Sequence, residues 1–300
     1  MQQAKLQALL RGMINAMKKV KKELNVLSSF VSLILNLIPA LYAFSCIIPV
    51  VWIFFCTFKT MPEFAANVLA LPKSFLNLAN YQYVFTKAPL LQSMFNTIRI
   101  TFFVLLLVIL IAFINGYFLS RFKFRFRKFI AGLYTCGLFI PIHAILVPTY
   151  IIFSFLKINN HWYSTILPVV CMELTTTTFL VMGYVSSVPR ELEEAAYIDG
   201  SSFSRTLFTI VLPIVKPVLV TCGIIVFFHS WNEFPYSLIL FDKERFYTLP
   251  LALMRFKGDY VTDYPRMMTF MFVSIVPALL IYVLFSKHII KGMMTGAIKG

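Results

Sequence analysis

The sequence predicts an all-α integral membrane protein with six transmembrane helices. Three observations carry this. The chain is 59% hydrophobic with a mean hydropathy of +0.81, well above a soluble domain. Only 13% of its residues are charged. Its apolar residues are gathered into runs long enough to cross a bilayer rather than into short core helices. The net charge of +15 would also suit a nucleic-acid binder, but surplus Lys and Arg in a membrane protein mark its cytoplasmic loops. The five cysteines fall in apolar segments without metal-ligand spacing and read as small buried hydrophobes.

Residues 1–36 form a basic segment. Leu6, Leu9, Leu10, Met13, Ile14, Met17 and Val20 recur at helical spacing among six Lys and Arg, which predicts an amphipathic helix on an anionic lipid surface. A solvated basic tail that only sets orientation is the alternative. A cleaved leader is not expected, because the following apolar run is too long for one. Residues 37–300 form the membrane domain. Its spans are expected at about 39–58, 97–119, 130–153, 164–186, 218–240 and 267–285, joined by loops at 59–94 and 241–266 and by a polar loop at about 188–217. Between the second and third spans, Arg121, Lys123, Arg125, Arg127 and Lys128 alternate with Phe122, Phe124, Phe126 and Phe129. Such alternation can bind RNA. Flanked by two spans, it reads as a membrane-interface loop. Of the 27 Lys and Arg, 17 fall on the side of the N-terminus and 9 on the other, with Arg99 at a span edge. The positive-inside rule therefore puts both termini and the 188–217 loop in the cytoplasm.

Catalytic chemistry is not expected. Gly132 and Gly137 have the gap of a phosphate-binding loop, but Leu138 and Phe139 stand where its Lys and hydroxyl belong. The four His are scattered. No metal site, cofactor site or nucleophile–base pair is expected, and ATP hydrolysis is not expected of this chain. Polar residues at membrane depth usually face a cavity or the bundle interior. Trp231, Asn232, Glu233 and Tyr236 in the fifth span, and Glu173 in the fourth, are therefore candidates for a substrate path. Polar packing between helices is the alternative. Thr175 to Thr178 can bond back to the preceding turn and need not form a site.

The 191–217 stretch reads as two short helices joined by a bend. Glu191, Glu193 and Glu194 favour the first N-terminus. Asp199 and Gly200 stop it, Ser201 or Ser202 caps the next helix, and Pro213 and Pro217 close that one. Ala195 and Ala196 are expected on the surface, where small side chains let another backbone come close. A re-entrant hairpin that merely joins two spans is the alternative.

Within this stretch, Glu194-Ala195-Ala196, three residues, Gly200, nine residues, then Ile210-Val211-Leu212-Pro213 resembles the EAA loop of ABC importer permeases, with every fixed position matched. The resemblance implies a type I ABC importer permease fold, and a coupling helix that docks on a cytoplasmic ATPase through Glu194, Ala195, Ala196, Asp199 and Gly200, with Leu212 and Pro213 ending the motif. Leu76 to Tyr81, the lead-in Val188-Pro189-Arg190-Glu191-Leu192, the Trp231 to Phe234 segment and the Thr295-Gly296-Ala297 tail are similar to the maltose-type carbohydrate permeases. That similarity spans roughly residues 70–300. It implies import of a carbohydrate, expected to be an oligosaccharide, across a bacterial plasma membrane. The implied partners are a second homologous permease, a cytoplasmic ATPase dimer that holds ATP and Mg, and an extracellular solute-binding protein. Thr295 and Gly296 would reach the ATPase. A Trp beside amide and carboxylate groups suits a sugar, by stacking and hydroxyl hydrogen bonds. Two alternatives remain: an ion-gradient-driven secondary transporter with Glu173 or Glu233 as carrier, and a membrane scaffold whose loop recruits a soluble partner.

Overall fold

The computed structural model describes residues 32–257 and 262–297, with side chains to 287. The amphipathic helix expected in the N-terminal segment lies outside the described residues. The fold class is as expected: helices throughout, with one isolated antiparallel bridge between Lys257 and Thr262 among the described residues.

The long helices are α1 (Ser32–Cys56), α4 (Leu90–Arg121), α7 (Ile166–Ser187), α10 (Leu212–Trp231) and α13 (Tyr264–Ala297). Between α1 and α4 lie α2 (Met61–Ala66) and α3 (Ala79–Thr86). The 188–217 loop carries α8 (Glu191–Ile198) and α9 (Phe203–Thr206). Beyond α10 come α11 (Pro235–Leu240) and α12 (Leu249–Ala252). The loops at 59–94 and 241–266 are thus partly helical.

The third expected span is broken. α5 (Arg127–Gly137) and α6 (Ile142–Phe155) meet at 107° across residues 138–141. Pro141 precedes α6 and has no N–H with which to continue α5. The second correction concerns Pro213 and Pro217, which do not close a short helix. α9 runs through a π-helical turn, Leu207–Val211, into α10, giving one 29-residue span from Phe203 to Trp231. The wide turn accommodates the missing N–H of Pro213 at the start of α10, and Pro217 sits inside the helix. The fifth span then stops at Trp231, short of the expected 240, and α11 follows as a separate short helix.

α4 lies at the centre, along α7, with α10 against both and α13 against α10. Two apolar cores fill this bundle. Val104, Val108, Val169, Val170, Val226 and Tyr236 are buried in one half. Phe113, Val181, Val185, Val211, Val215 and Leu219 are buried in the other, toward the 188–217 loop. The 59–94 loop is tied to the end of α1. Asn80 Nδ2 donates to the carbonyls of Thr57 and Lys59 at 2.8 Å, Asn77 Nδ2 to Phe58 at 2.9 Å, and Tyr81 shares a 2.9 Å bond with Thr57. This is the physical content of the Leu76 to Tyr81 segment: amides that satisfy carbonyls a helix end leaves open. Residues 32–49 of α1, in contrast, are exposed along their length.

α4 and α7 are close-packed at Gly116. A Cβ there would sit 2.7 Å from Val181 Cγ1 and 3.1 Å from the Met182 backbone nitrogen. Gly116→Val should therefore lower stability by about 1–3 kcal/mol through overpacking. Thermal unfolding of the purified chain in detergent reads this out, with Gly132→Val, whose Cβ has open space around it, as the control. Equal melting of the two variants would mean that the seam is not close-packed.

Candidate functional site

The loop between α7 and α10 is built around one buried carboxylate. Glu193 accepts hydrogen bonds from Tyr117 Oη at 2.6 Å and from Arg121 Nε at 2.7 Å. Both Arg121 and Glu193 side chains are more than nine-tenths buried. Arg121 Nη2 donates to the Val188 carbonyl at 2.9 Å, and Arg190 Nη2 donates back to the Arg121 carbonyl at 3.3 Å. A buried charge is tolerable when it is paired and its remaining hydrogen bonds are made. Here the pairing fastens α8 to the end of α4.

That contact also fixes which face of α8 looks out. Ala196 lies three residues after Glu193, on the same face, and is only 6% exposed. The expectation that both alanines lie on the surface therefore holds for Ala195 and fails for Ala196. Glu191, Leu192, Glu194, Ala195 and Tyr197 are exposed, and Ile198 is 86% exposed. The helix thus presents Leu192, Tyr197 and Ile198 outward while its other face is held to the bundle.

The bend follows the expected chemistry. Gly200 has φ +81°, the left-handed conformation that ends helices. Its N–H bonds the Tyr197 carbonyl at 3.1 Å, and Ser201 N–H bonds that of Ala196 at 2.9 Å. Ser202, rather than Ser201, accepts from Arg205 N–H and caps α9. Asp199 is exposed beside the bend. Leu212 packs into the bundle and Pro213 is exposed on α10. Thr295 and Gly296 lie in the last turns of α13, and their side chains fall outside those described.

The candidates for a substrate path separate into different places. Glu233 is buried and caps α11, accepting from Tyr236 N–H at 2.5 Å, Ser237 N–H at 3.2 Å and Ser237 Oγ at 2.6 Å. Tyr236 is in the core. Trp231 is buried, stacks on Phe227 at 5.4 Å and donates from Nε1 to the Ser274 carbonyl at 3.3 Å. With the exposed Asn232 it edges a groove of about 520 Å³ against α12 and α13. Glu173 lies elsewhere. Its Oε1 is 2.9 Å from His229 Nδ1, and both line a pocket of about 170 Å³ with Gly137, Thr176 and Ile225.

Sequence reasoning missed the cluster of Glu193, Tyr117 and Arg121, and it placed His229 with Trp231 to Tyr236 rather than with Glu173. Glu193 looked like one more first-turn acid. Only the inward register of α8, set by a partner 72 residues away, distinguishes it.

Comparison with known proteins agrees with this architecture. The family model described as binding-protein-dependent transport system inner membrane component matches residues 108–294. The sulfoquinovosyl glycerol transport system permease protein SmoH of Agrobacterium fabrum is 31% identical over 252 residues, 84% of this chain and 88% of the relative. The trehalose/maltose transport system permease protein MalG of Thermococcus litoralis is 30% identical over 266 residues, 87% and 94% of the two chains. In fold, the chain resembles a subunit of a bacterial ABC transporter for import of the acidic polysaccharide alginate. The TM-score is 0.75 at 18% identity, covering 86% of this chain and 96% of that one.

Glu193→Gln should free the loop. It leaves Arg121 buried without its counter-charge, a loss of about 3–5 kcal/mol in comparable sites, whereas Tyr117→Phe removes one hydrogen bond to a charged acceptor, about 1.5–3 kcal/mol. Hydrogen–deuterium exchange across 188–200 should rise strongly in the first variant and less in the second. Unchanged exchange in Glu193→Gln would show that the clamp does not hold α8.

Proposed function

Because this chain belongs to the family of binding-protein-dependent transport system inner membrane components, we propose that it is one permease subunit of an ATP-driven importer of a carbohydrate, and of an oligosaccharide in particular. The observation that carries the reading is α8: an exposed Glu194, Ala195 and Ile198 on a helix clamped to the bundle from its other face. A rigid helix of this kind suits the transfer of a push from a soluble partner to the spans. The partner is an ATPase dimer carrying ATP and Mg, since Leu138 and Phe139 leave this chain without a phosphate-binding loop. Glu194 anchors α8 in that ATPase, and Gly200 allows the bend. Thr295 and Gly296 extend the contact from the C-terminus.

The exposed apolar length of α1 supports a second, homologous permease, against which that face would be buried. The family's description implies a solute-binding protein on the outer side. The sugar class is supported by relatives named for sulfoquinovosyl glycerol and for trehalose and maltose. The bias of Lys and Arg supports cytoplasmic termini, with α8 on the same side.

The test uses the complex purified gently from its native membrane, with and without Gly200→Val. A β-branched residue at φ +81° is strained by roughly 1–2 kcal/mol, and no neighbour crowds its Cβ. We expect an ATPase to co-purify and its stimulation by the binding protein to fall severalfold in the variant, with membrane insertion unchanged. Absence of any co-purifying ATPase would defeat the reading and favour a gradient-driven transporter or a scaffold.

A further inference from the structure

Glu173 and His229 lie on spans that are otherwise strongly apolar, with mean hydropathies of 1.6 and 2.4. The His229 side chain is 62% exposed and that of Glu173 14%. An ionisable pair turned toward hydrocarbon is costly, so such pairs face a bundle interior or a water-filled cavity. A second observation points to the same place. Leu138 and Ile140, in the break between α5 and α6, line the pocket that holds the pair. Non-helical backbone within a membrane persists where it lines a cavity or is buried in protein, because lipid cannot satisfy its polar groups.

The pocket's chemistry is selective. One Glu173 oxygen is engaged by His229. Among the described residues no group bonds the other. Thr175 turns its hydroxyl back to the Met172 carbonyl at 2.7 Å, whereas Thr176 next to it is exposed. Met172, Leu180 and Ile225 supply apolar wall between these groups. A few polar groups set in an apolar wall suit a sugar ring, whose hydroxyls need acceptors and whose C–H faces need contact. The volume of about 170 Å³ falls below the roughly 300–1,000 Å³ of a complete small-ligand site. It is one wall of a site, sized for a single sugar unit.

We infer that this pocket is the position at which the subunit itself holds one unit of the carbohydrate, with Glu173, His229 and Thr176 binding its hydroxyls. The inference rests on the importer reading above. The pocket lies in the half of α7 away from α8, Glu173 being roughly 20 Å along the helix from Ser187.

The experiment begins by deleting this chain and finding which radiolabelled carbohydrate the cells no longer take up. If uptake of none is lost, the importer reading fails before the pocket is tested. With that carbohydrate, uptake per ATP hydrolysed is measured in proteoliposomes holding the whole complex. Glu173→Gln should lower the ratio about tenfold or more, the scale of a lost hydrogen bond to a charged group, and Thr176→Val severalfold. A wild-type ratio in both variants overturns the inference. So does a parallel fall of uptake and hydrolysis, which would make the pair part of the coupling machinery, and so does uptake driven by a proton gradient without ATP. Should Glu173→Gln fail to assemble, Thr176→Val, which removes only an exposed hydroxyl, decides the matter.

Discussion

One constraint governs this molecule: in a bilayer, a backbone N–H or C=O must find its partner within the protein. Each irregularity of the bundle is an answer to it. The π-helical turn Leu207–Val211 lets the chain pass Pro213 without ending the span. Asn77 and Asn80 fold back to satisfy the carbonyls at the end of α1. Glu233 does the same for the first N–H groups of α11, which explains how a carboxylate comes to be buried so near a membrane span. The break at 138–141 opens onto the pocket that holds Glu173 and His229.

The loop between α7 and α10 obeys the same rule with charge added. Arg121 satisfies the Val188 carbonyl where α7 ends, and Glu193 satisfies Arg121. One side-chain cluster thereby holds the end of α4, the end of α7 and the start of α8. Ser120 and Ser186 share a 2.9 Å hydrogen bond beside it. The geometry that exposes Glu194 is a consequence of the geometry that buries Glu193. They are neighbours in a first turn full of acids, and helical rotation sends them in different directions. A helix tethered only by its covalent ends would move independently of the bundle. This one is hydrogen-bonded and ion-paired to it.

Much of this was legible in the residues. Apolar runs located the spans, and Gly200 and Ser202 marked the bend because left-handed backbone and N-capping each require particular residue types. The failures have a common physical origin. Pro213, Pro217 and the 231–240 segment were misjudged because local propensity says how a residue behaves in water, while a neighbouring helix or a π-turn can override it in a membrane. The contacts of Glu193 and His229 were missed for a different reason. Their partners are Tyr117 and Arg121 on α4 and Glu173 on α7, and no periodicity within one segment encodes a contact across 56 to 76 residues. Trp231 and Glu233 drew attention as polar groups in a span, yet both are spent on internal contacts.

The two polar clusters share an element, and that bears on how a push at α8 could reach a sugar. α7 carries Glu173 near one end and is clamped through Val188 at the other. Between them it is pressed against α4 at Gly116 and Val181, with no room for a methyl group, and packed interiors resist compression. In the proposed importer, α4 and α7 would therefore shift as a pair when α8 shifts. α5 touches α7 at Gly137, where an added Cβ would come within 2.5 Å of Thr175, immediately before the break. The break is where strain can be absorbed, since residues 138–141 hold no continuous helical ladder. A displacement of the α4–α7 pair would thus change the pocket at its weakest wall, between the rigid side that bears Glu173 and the hinged side that bears Leu138 and Ile140. In the proposed importer, the energy taken up at α8 is spent there.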